Sequence, residues 1–405
     1  METGQKSNIP KGSNAATKIC ILGGGFGGLY TALYLHSYWG FKNKNCQITL
    51  IDPQDHIVFT PLLYEVITDE LEPWEIFPRF DKLLKNKKIQ FCQDTVQNID
   101  FKNRQVKLLE QGNLDYDYLV IAVGVTNGKL PTGAENVLTF RTLADTQLLE
   151  QKLQSLENSN QELIRVAIVG GGPSGVELAG KIADRLGRRG EIRLIERGKE
   201  ILKSFTSATR KNAQRALDKL NVLISLETSV NAIEVDQITL WQSNESAIIP
   251  TDFVLWTAGT QVREWVKNLD CSHNYRGQLI CEPTLQLVDY PEVFVLGDVA
   301  EISYPNDKKL PATAQVAYQQ ASQAAKNLWG ILNNKRPRPF RYLHLGEMIT
   351  LGKNAAAVSS FGISLHGWLA ALVRLGVYVQ RLPTLSHGFQ VLRNRLKIWI
   401  FQRKK

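Results

Sequence analysis

The sequence predicts an α/β protein with two dinucleotide-binding domains in tandem, and three features support this fold class. Two glycine-rich stretches, LGGGFGGLYTALYL at 22–35 and VGGGPSGVELAGKIA at 169–183, each follow a short apolar strand and continue into an amphipathic run. An acidic residue ends the next strand in each case: Asp52 in ITLID and Glu196 in IRLIE. This order of strand, glycine turn, helix, strand and acid is that of a Rossmann-like unit.

The first unit has every element of the dinucleotide fingerprint. Gly23, Gly25 and Gly28 follow strand 18–22 at the motif positions. The first glycine permits a tight turn, the second lets a pyrophosphate approach the backbone, and the third lets the helix pack on the strand. The N–H groups and the positive dipole end of the helix favour phosphate, and Asp52 is expected to accept hydrogen bonds from a ribose.

The second unit repeats the pattern after the strand VAIV. Gly170, Gly172 and Gly175 take the motif positions, the helix is predicted to end near Leu186, and Glu196 is the acid. One glycine motif alone is weak evidence, because such short patterns recur by chance. Two complete copies predict two bound dinucleotides.

Three later segments assign a cofactor to each unit. VFVLGDVA at 293–300 contains Asp298 and resembles the segment that two-dinucleotide-binding-domain flavoproteins, which are glutathione-reductase-like, place against the flavin's ribityl chain and phosphate. YLVIAVG at 118–124 and VLWTAGT at 254–260 resemble the crossings between their domains. FAD is therefore expected at the first unit and NADPH or NADH at the second. Asp298 has an alternative interpretation as an ordinary turn acid.

The length of 405 residues suggests two or three domains. A disordered lead-in is predicted at 1–14, because this stretch lacks the apolar segment of a signal peptide. An FAD-binding domain at 15–150 is predicted to resume at 259–347 after a nicotinamide-binding domain at 151–258. A C-terminal membrane-association region is predicted at 348–405.

The five cysteines argue against one class of redox site and leave another open. They lie at 20, 46, 92, 271 and 281 and form no C-x-x-C pair. A disulfide reductase needs a thiol pair soon after the first glycine stretch, and only Cys46 lies there. A sulfide:quinone reductase pair of Cys92 with Cys271 or Cys281 is compatible with the spacing, although buried, reduced thiols are the simpler interpretation. The six histidines show no metal-ligand spacing, so no metal site is predicted.

The net charge of +9 lies entirely in the C-terminal region. Residues 1–347 contain 39 basic and 39 acidic residues, because 348–405 contains nine of the 48 Lys and Arg and none of the 39 Asp and Glu. The nine are Lys353, Arg374, Arg381, Arg393, Arg395, Lys397, Arg403, Lys404 and Lys405.

The same region is rich in apolar residues. Residues 355–373 have no charged side chain, but His366, three serines and two glycines make them a poor membrane span, so an interfacial helix is expected. In 386–405 the residues Phe389, Leu392, Leu396 and Trp399 recur at helical spacing, opposite a basic face. This pattern predicts an amphipathic helix on an anionic membrane surface. Docking on the protein's own core or in a homodimer is the alternative; nucleic acid is not expected as a partner.

Longer motifs carry a specific family resemblance. DHIVFTPLLYEVITDE at 55–70 is similar to the flavin-side signature of type II NAD(P)H:quinone oxidoreductases, and PATAQVAYQQASQAAKNL at 311–328 is similar to their quinone-side helix. GVELAG at 175–180 and FRYLHLGEMITLGKNAAAV at 340–358 also resemble this family. LEPWEIFPRFDKLL at 71–84 resembles its cyanobacterial and plastid branch, which includes demethylphylloquinone reductases.

The resemblance implies roles for five residues. It places Pro61 and Tyr64 near the isoalloxazine ring, Gln315 and Gln319 at the quinone carbonyls, and Glu177 opposite the nicotinamide and flavin. Each has a simpler alternative: a hydrophobic turn for the first pair, an exposed polar stripe for the glutamines, and a helix-terminal acid for Glu177.

The activity implied is hydride transfer from NAD(P)H to flavin N5, followed by transfer of two electrons to a membrane quinone, without ion pumping. The branch implies demethylphylloquinone reduction in phylloquinone synthesis, with respiratory or photosynthetic pool quinones as the alternative. The expected location is peripheral, on the cytoplasmic side of a membrane, thylakoid or plasma membrane in a cyanobacterium. Two other classes remain open: a soluble ferredoxin-type reductase and a flavoprotein that senses nicotinamide redox state.

The choice of nicotinamide is predicted to be mixed. Glu196 would accept the adenosine ribose hydroxyls and repel a 2′-phosphate, which favours NADH. Arg197 follows at once, with Arg193 and Lys199 nearby, and a guanidinium can pair with that phosphate. Neighbouring residues alternate in direction at a strand end, so Arg197 has an alternative interpretation as a solvated surface cation.

Overall fold

The computed structural model describes residues 16–38, 44–302 and 309–402, with residues 134 and 396–402 described by their backbone alone. The predicted lead-in at 1–14 lies outside the described residues. The chain forms two compact units. Unit 1 comprises Met1–Gln54, Leu84–Val123 and Asn268–Phe340, and unit 2 comprises Asp55–Leu83, Gly124–Lys267 and Arg341–Lys405.

The strands of the described residues are β1 Thr17–Leu22, β2 Cys46–Asp52, β3 Ile89–Gln93, β4 Val96–Asp100, β5 Gln105–Leu108, β6 Asn113–Asp115, β7 Tyr118–Ile121, β8 Thr126–Asn127, β9 Val137–Leu138, β10 Ile164–Val169, β11 Gly190–Ile195, β12 Leu223–Ser225, β13 Thr228–Ile233, β14 Gln237–Gln242, β15 Glu245–Pro250, β16 Phe253–Trp256, β17 Thr260–Gln261, β18 Leu279–Cys281, β19 Val293–Val295, β20 Ala300–Ile302, β21 Glu347–Thr350, β22 Ala356–Ser360 and β23 Ile363–Gly367.

The α-helices of the same residues are α1 Gly28–Ser37, α2 Pro73–Ile76, α3 Phe80–Leu83, α4 Leu143–Glu157, α5 Pro173–Leu186, α6 Ser207–Lys219, α7 Glu264–Lys267, α8 Ala314–Ile331, α9 Trp368–Gln380 and α10 Leu385–Gln402. Short 3₁₀ turns lie at Thr60–Val66, Ala134–Asn136, Gly187–Arg189 and Gly297–Val299.

Unit 1 is built on a five-stranded parallel sheet in the order β19-β7-β1-β2-β3. Its central strand β1 is a nearly continuous apolar run, and Ile19, Ile21 and Leu22 are fully buried, as expected for a parallel sheet covered on both faces. The first glycine turn begins directly after β1, at the carboxyl edge of the sheet where Rossmann-like folds bind ligands. Helix α1 packs against α8, where the rings of Tyr30 and Tyr318 meet edge to face with centroids 4.9 Å apart.

Unit 2 repeats this construction with the parallel order β12-β11-β10-β16-β9. The antiparallel sheet of β13, β14 and β15 packs against it, and the apolar residues between them include Ala167, Ile233, Ile238, Leu240 and Val254. The second glycine turn joins β10 to α5. Two Rossmann-like sheets, each with a glycine turn after its central strand, confirm the predicted α/β fold class.

The C-terminal region contains a three-stranded antiparallel sheet in the order β21-β22-β23, followed by α9 and α10. The interfacial helix expected over 355–373 is wrong for the first half of that range. Phe361 and Gly362 adopt φ of +48° and +83°, which reverses the chain and lets β22 pair with β23. The helix begins only at Trp368, after Gly367 with φ +74°.

Part of this region packs on the protein's own core. Ala370 and Val391 are fully buried, and Ala370 joins a cluster with Ala356 and Val358. The imidazole Nε2 of His387 donates to the carbonyl oxygen of Glu75 at 2.8 Å, which ties α10 to the segment that contains α2.

Candidate active site

The first glycine turn has the geometry that a dinucleotide needs. Gly23 has φ of +97°, where a side chain would collide with the carbonyl of Ala122. A Cβ at Gly28 would lie 1.9 Å from the carbonyl oxygen of Gly23, so only glycine allows the helix to start so close to the strand. A Cβ at Gly25 would meet no atom within 4 Å. The space above Gly25 is therefore open, where the fingerprint places a pyrophosphate.

The second turn reproduces these relations. Gly170 has φ of +116°, and a Cβ at Gly175 would lie 1.8 Å from the carbonyl oxygen of Gly170. Gly172 again faces open space. It is also the N-cap of α5, with Pro173 as the first helical residue, and the fixed φ of proline suits the start of a helix. The free N–H groups of a helix N-terminus favour phosphate binding.

The two acids close their turns in the same way, which the sequence did not reveal. Asp52 accepts the Gly24 N–H at 2.6 Å and the Gln54 N–H at 2.8 Å, one at each carboxylate oxygen. Glu196 accepts the N–H groups of Gly171 and Gly198, both at 2.6 Å. Each acid thus fixes the glycine just before the open one, Gly24 or Gly171, and its carboxyl group lies where a ribose is expected.

The turn with Asp298 is held from two sides within unit 1. The Gly297 N–H donates to Gln320 Oε1 at 2.7 Å, and Gln278 Nε2 donates to the Asp298 carbonyl at 2.8 Å. Gln320 is 2% exposed, so its amide is buried in the protein and serves to hold this turn. Sequence reasoning selected Gln315 and Gln319 on α8 and missed Gln320. The adjacent glutamines in YQQ were the available signal, because neighbours on a helix face different directions.

A buried charge cluster lies on α5 in unit 2. Arg374 of α9 is 3% exposed and donates to the carboxylate of Glu65 and to the carbonyl of Pro61. The same guanidinium lies 3.3 Å from Glu177, whose carboxylate also accepts the Thr350 N–H at 3.0 Å. The structure thus brings together three segments of the family resemblance. The sequence shows Arg374 only as one of the C-terminal cations and gives no sign of its place in this cluster.

Burial and charge act in opposite directions on this cluster. Desolvation raises the pKa of Glu177 to about 7, although Arg374 and the Thr350 N–H act to lower it. Burial acts to lower the pKa of Arg374, but the carboxylates of Glu65 and Glu177 outweigh it and raise that pKa, so the guanidinium stays charged. Glu65 Oε2 and Arg374 Nε have no hydrogen-bond partner among the described residues. The cluster contains a carboxyl that titrates near neutral pH.

Tyr64 links the 3₁₀ turn at 60–66 to the second glycine turn. Its hydroxyl donates to Ser174 Oγ at 2.8 Å, and its ring lies 5.7 Å from that of Phe140. Burial raises the pKa of Tyr64, so the phenol stays protonated as a donor. One turn beyond Glu177, the fully buried Lys181 pairs with Glu70. The polar face of α5 is therefore bound to segment 61–70 along its length.

The basic residues near Glu196 differ in their surroundings. Arg193 Nη1 donates to Ser225 Oγ at 3.2 Å, which holds this guanidinium against β12. Arg197 is exposed at the end of β11. Of the two arginines, Arg197 has the freedom to meet a ligand phosphate.

The cysteines show no sign of redox activation. All five are unpaired thiols, and Cys20 and Cys281 are buried. Burial raises the pKa of Cys20 and Cys271 to about 12, so these groups are not thiolates at neutral pH. Among the described residues, no group of three or more His, Cys, Asp or Glu is placed to hold a metal.

The C-terminal region exposes large apolar side chains although it packs on the core. Helix α9 exposes Trp368, Leu369, Leu372 and Val373, and α10 exposes Leu385, Phe389 and Leu392. In the part of the chain that the structure describes, no helix has the length and apolar character to span a bilayer. The predicted apolar face of the last helix also includes Leu396 and Trp399, whose side chains lie outside the described residues.

Comparisons with known proteins agree with this arrangement. Residues 17–321 match the family model described as pyridine nucleotide-disulphide oxidoreductase. The chain is 44% identical to demethylphylloquinone reductase NdbB of Synechocystis, over 94% of this chain and 95% of the relative. It is 38% identical to alternative NAD(P)H-ubiquinone oxidoreductase C1, chloroplastic/mitochondrial, of Arabidopsis thaliana, over 93% and 80%.

Solved structures share the fold. NDH2 from Plasmodium falciparum in complex with NADH matches with a TM-score of 0.83 at 19% identity, over 94% of this chain and 98% of that one. The sulfide:quinone oxidoreductase of Aquifex aeolicus matches with a TM-score of 0.76 at 22% identity, over 89% and 90%.

Alanine at the two open glycines should separate the cofactor sites. A methyl group at Gly25 or Gly172 meets no protein atom, so each variant should keep wild-type thermal stability without ligand. Each should bind its own dinucleotide about ten-fold or more weakly. Flavin content and an NADH titration measure the two effects. Gly28→Ala and Gly175→Ala are the controls, since they should destabilise the fold itself. Loss of flavin from Gly172→Ala but not Gly25→Ala would reverse the assignment.

Glu177→Gln should change how stability depends on pH. The native state holds the Glu177 proton up to a pKa of about 7, against 4.5 for the ordinary group, so this residue loses stabilising effect as the pH rises through that window. The amide of the variant does not titrate, so this contribution to the pH dependence of the free energy of unfolding is lost. Between pH 4.5 and 7 the free energy of unfolding of the variant should therefore rise by about 2–3 kcal/mol relative to that of the wild type. Urea unfolding at a series of pH values measures it, with the exposed Glu162→Gln as control. Parallel pH profiles for wild type and Glu177→Gln would contradict the assignment.

Proposed function

The chain belongs to the pyridine nucleotide-disulphide oxidoreductase family and to its type II NAD(P)H:quinone oxidoreductases, and on that premise we propose that it reduces a membrane quinone with NAD(P)H. The observation that supports this most is the duplication within one chain. Each unit has a glycine turn with an open middle position and an acid that closes the turn. Two dinucleotides bound in one protein suit an electron transfer from one to the other.

FAD fits the first turn. Gly23 and Gly28 allow the tight turn and Gly25 leaves space for its pyrophosphate. Asp52 is the proposed ribose contact, and Asp298 lies in a turn held by hydrogen bonds to Gln320 and Gln278. The open second turn fits NADH or NADPH. When bound, FAD supplies the two-electron chemistry, since it can accept hydride from a nicotinamide and reduce a quinone.

The protein's own share is positioning and electrostatics. The Arg374 guanidinium holds Pro61 and Glu65, and Tyr64 binds the start of α5, so segment 61–65 is fixed relative to the nicotinamide turn. In the proposed reaction Glu177 faces the reacting rings. A carboxyl with a pKa of about 7 is suited to hold a proton that a quinone takes up on reduction.

The proposed acceptor is demethylphylloquinone, and the reaction a step of phylloquinone synthesis. The 44% identity to a demethylphylloquinone reductase over nearly the whole chain supports this substrate. A respiratory or photosynthetic pool quinone is the second candidate, supported by the NAD(P)H-ubiquinone oxidoreductase relative. Gln315 and Gln319 of α8 are the proposed quinone contacts.

The proposed site of action is an anionic membrane surface. The apolar side chains exposed on α9 and α10 support peripheral binding, together with the basic residues of 348–405 other than the buried Arg374 and the lack of acidic residues there. The cytoplasmic side is the proposed face, thylakoid or plasma membrane in a cyanobacterium. A homodimer through the same helices is the competing use of this surface.

Rapid anaerobic mixing tests the proposed activity. NADH should reduce the flavin stoichiometrically, and a quinone added second should reoxidise it within the turnover time. A reduced flavin–nicotinamide complex that persists in the presence of quinone would instead favour a redox sensor. Reoxidation by ferredoxin but by no quinone would favour a soluble ferredoxin-type reductase.

Leucine at both Gln315 and Gln319 should affect the second half-reaction alone. The amides are proposed to contact the quinone and not the nicotinamide, so flavin reduction by NADH should stay near the wild-type rate while reoxidation by quinone slows about ten-fold or more. Gln323→Leu on the same helix is the matched control, because Gln323 is bonded to Asn327 instead. Equal losses in both half-reactions would show that the glutamines serve the fold or the flavin.

Arg197→Ala should reduce activity with NADPH more than with NADH, by about five- to ten-fold in the ratio of kcat/KM values. Glu196→Gln should shift the same ratio towards NADPH, because it removes the charge that repels a 2′-phosphate while keeping an oxygen for the Gly171 N–H. Arg193→Ala is the control, since its guanidinium is bound to Ser225. An equal loss with both nicotinamides in Arg197→Ala would make this arginine structural.

A further inference from the structure

The hairpin of β22 and β23 closes with an unusual pair of residues. Ser360 pairs with Ile363, so Phe361 and Gly362 form the whole turn, with φ of +48° and +83°. Positive φ at both central residues is the mark of a type I′ turn, in which Asn-Gly and Asp-Gly are the favoured pairs. Phenylalanine is disfavoured there, because its Cβ crowds the backbone in the left-handed region. The turn thus has a residue that lowers its own stability.

The same turn exposes apolar surface. Phe361 is 77% exposed and Ile363 is 67% exposed, while Val358 on the neighbouring strand is buried against Ala370. The hairpin is therefore anchored in the core at one face and presents an aromatic and an aliphatic side chain at its tip. Backbone strain combined with an exposed aromatic residue indicates a role outside the folded chain.

The exposed residues and the charge of the C-terminal region indicate what kind of partner this turn meets. Helix α9 follows β23 after Gly367 and exposes Trp368, Leu369 and Leu372. The stretch 348–405 has nine basic residues and no acid. One of the nine, Arg374, is buried and paired with Glu65, so it does not take part in a surface contact. Apolar side chains within a wholly basic segment complement an anionic lipid surface, where the cations meet headgroups and the apolar groups enter the acyl boundary. Nucleic acid would satisfy the charge but leave the aliphatic side chains unburied.

We propose that Phe361 and Ile363 form a finger that inserts into an anionic bilayer, as a membrane contact in addition to α9 and α10. The inference rests on the proposed membrane association and adds a defined insertion point to it. The strained turn holds an aromatic side chain at the tip of the finger. Phe361 therefore lowers the stability of the folded chain but provides a side chain that can enter lipid.

Phe361→Asn gives this proposal a test with effects of opposite sign. Asparagine tolerates positive φ, so the variant should melt about 2–4 °C higher than wild type. It should bind vesicles of phosphatidylglycerol and phosphatidylcholine about ten-fold more weakly, since an aromatic side chain no longer enters the lipid. Ile363→Thr keeps a β-branched residue in the strand and should weaken vesicle binding without raising the melting temperature.

Both variants should reduce a short-chain quinone at the wild-type rate.

Val235→Asn is the matched control, because Val235 is 78% exposed in another hairpin of unit 2 and should not affect vesicle binding. Wild-type vesicle affinity in both finger variants would overturn the proposal while leaving membrane association intact. Failure of the wild-type protein to bind vesicles would overturn the membrane association and the finger with it. A change from dimer to monomer in Phe361→Asn, with vesicle binding unchanged, would assign the finger to a second copy of the chain and also overturn the proposal.

Discussion

The buried guanidinium of Arg374 is the constraint on which the rest of unit 2 depends. A cation that is 3% exposed needs carboxylates and carbonyls around it, and here they come from Glu65, Glu177 and Pro61. Helix α9, which holds the guanidinium, therefore cannot move away from α5 without leaving two carboxylates buried and unpaired. Helix α9, which exposes apolar side chains on its outer face, is in this way bound to the helix that begins at the second glycine turn.

Helix α5 extends this constraint along its whole length. It begins at an open glycine turn, binds the hydroxyl of Tyr64 in its first turn through Ser174, and places Glu177 and Lys181 one turn apart on the same side. The polar contacts of Ser174, Glu177 and Lys181 are made to segment 61–70 or to the C-terminal region. The open glycine turn at the N-terminus of α5 and the carboxyl group of Glu177 therefore belong to one helix. This gives a physical reason for a titratable carboxyl at this place in an oxidoreductase.

The sequence predicted the parts of the fold that depend on local patterns. Gly28 and Gly175 are required because a Cβ there would lie 1.9 and 1.8 Å from a backbone carbonyl oxygen of its own turn, so the local motif was sufficient to predict both turns. It could not predict that Arg374 pairs with Glu65, because that contact joins positions 309 residues apart and the same pattern fits a surface cation. The hairpin at 356–367 was missed for a related reason. Its strands are only five residues long, and they form through pairing of β22 with β21 and β23 and through two positive φ angles at the turn, which the sequence pattern does not show. Whether Gln315, Gln319, Pro61 and Tyr64 meet their expected ligands remains a prediction.

The stability of Arg374→Met tests most directly whether the C-terminal region and the nicotinamide helix form one folded unit through this guanidinium. Urea unfolding of the flavin-loaded protein should show a loss of about 3–5 kcal/mol for the single variant, because two buried carboxylates lose their partner. Adding Glu65→Gln and Glu177→Gln should restore most of that loss, since neutral amides need no counter-ion. A cost below about 0.5 kcal/mol for Arg374→Met, typical of a surface change, with no recovery in the triple variant, would contradict the account.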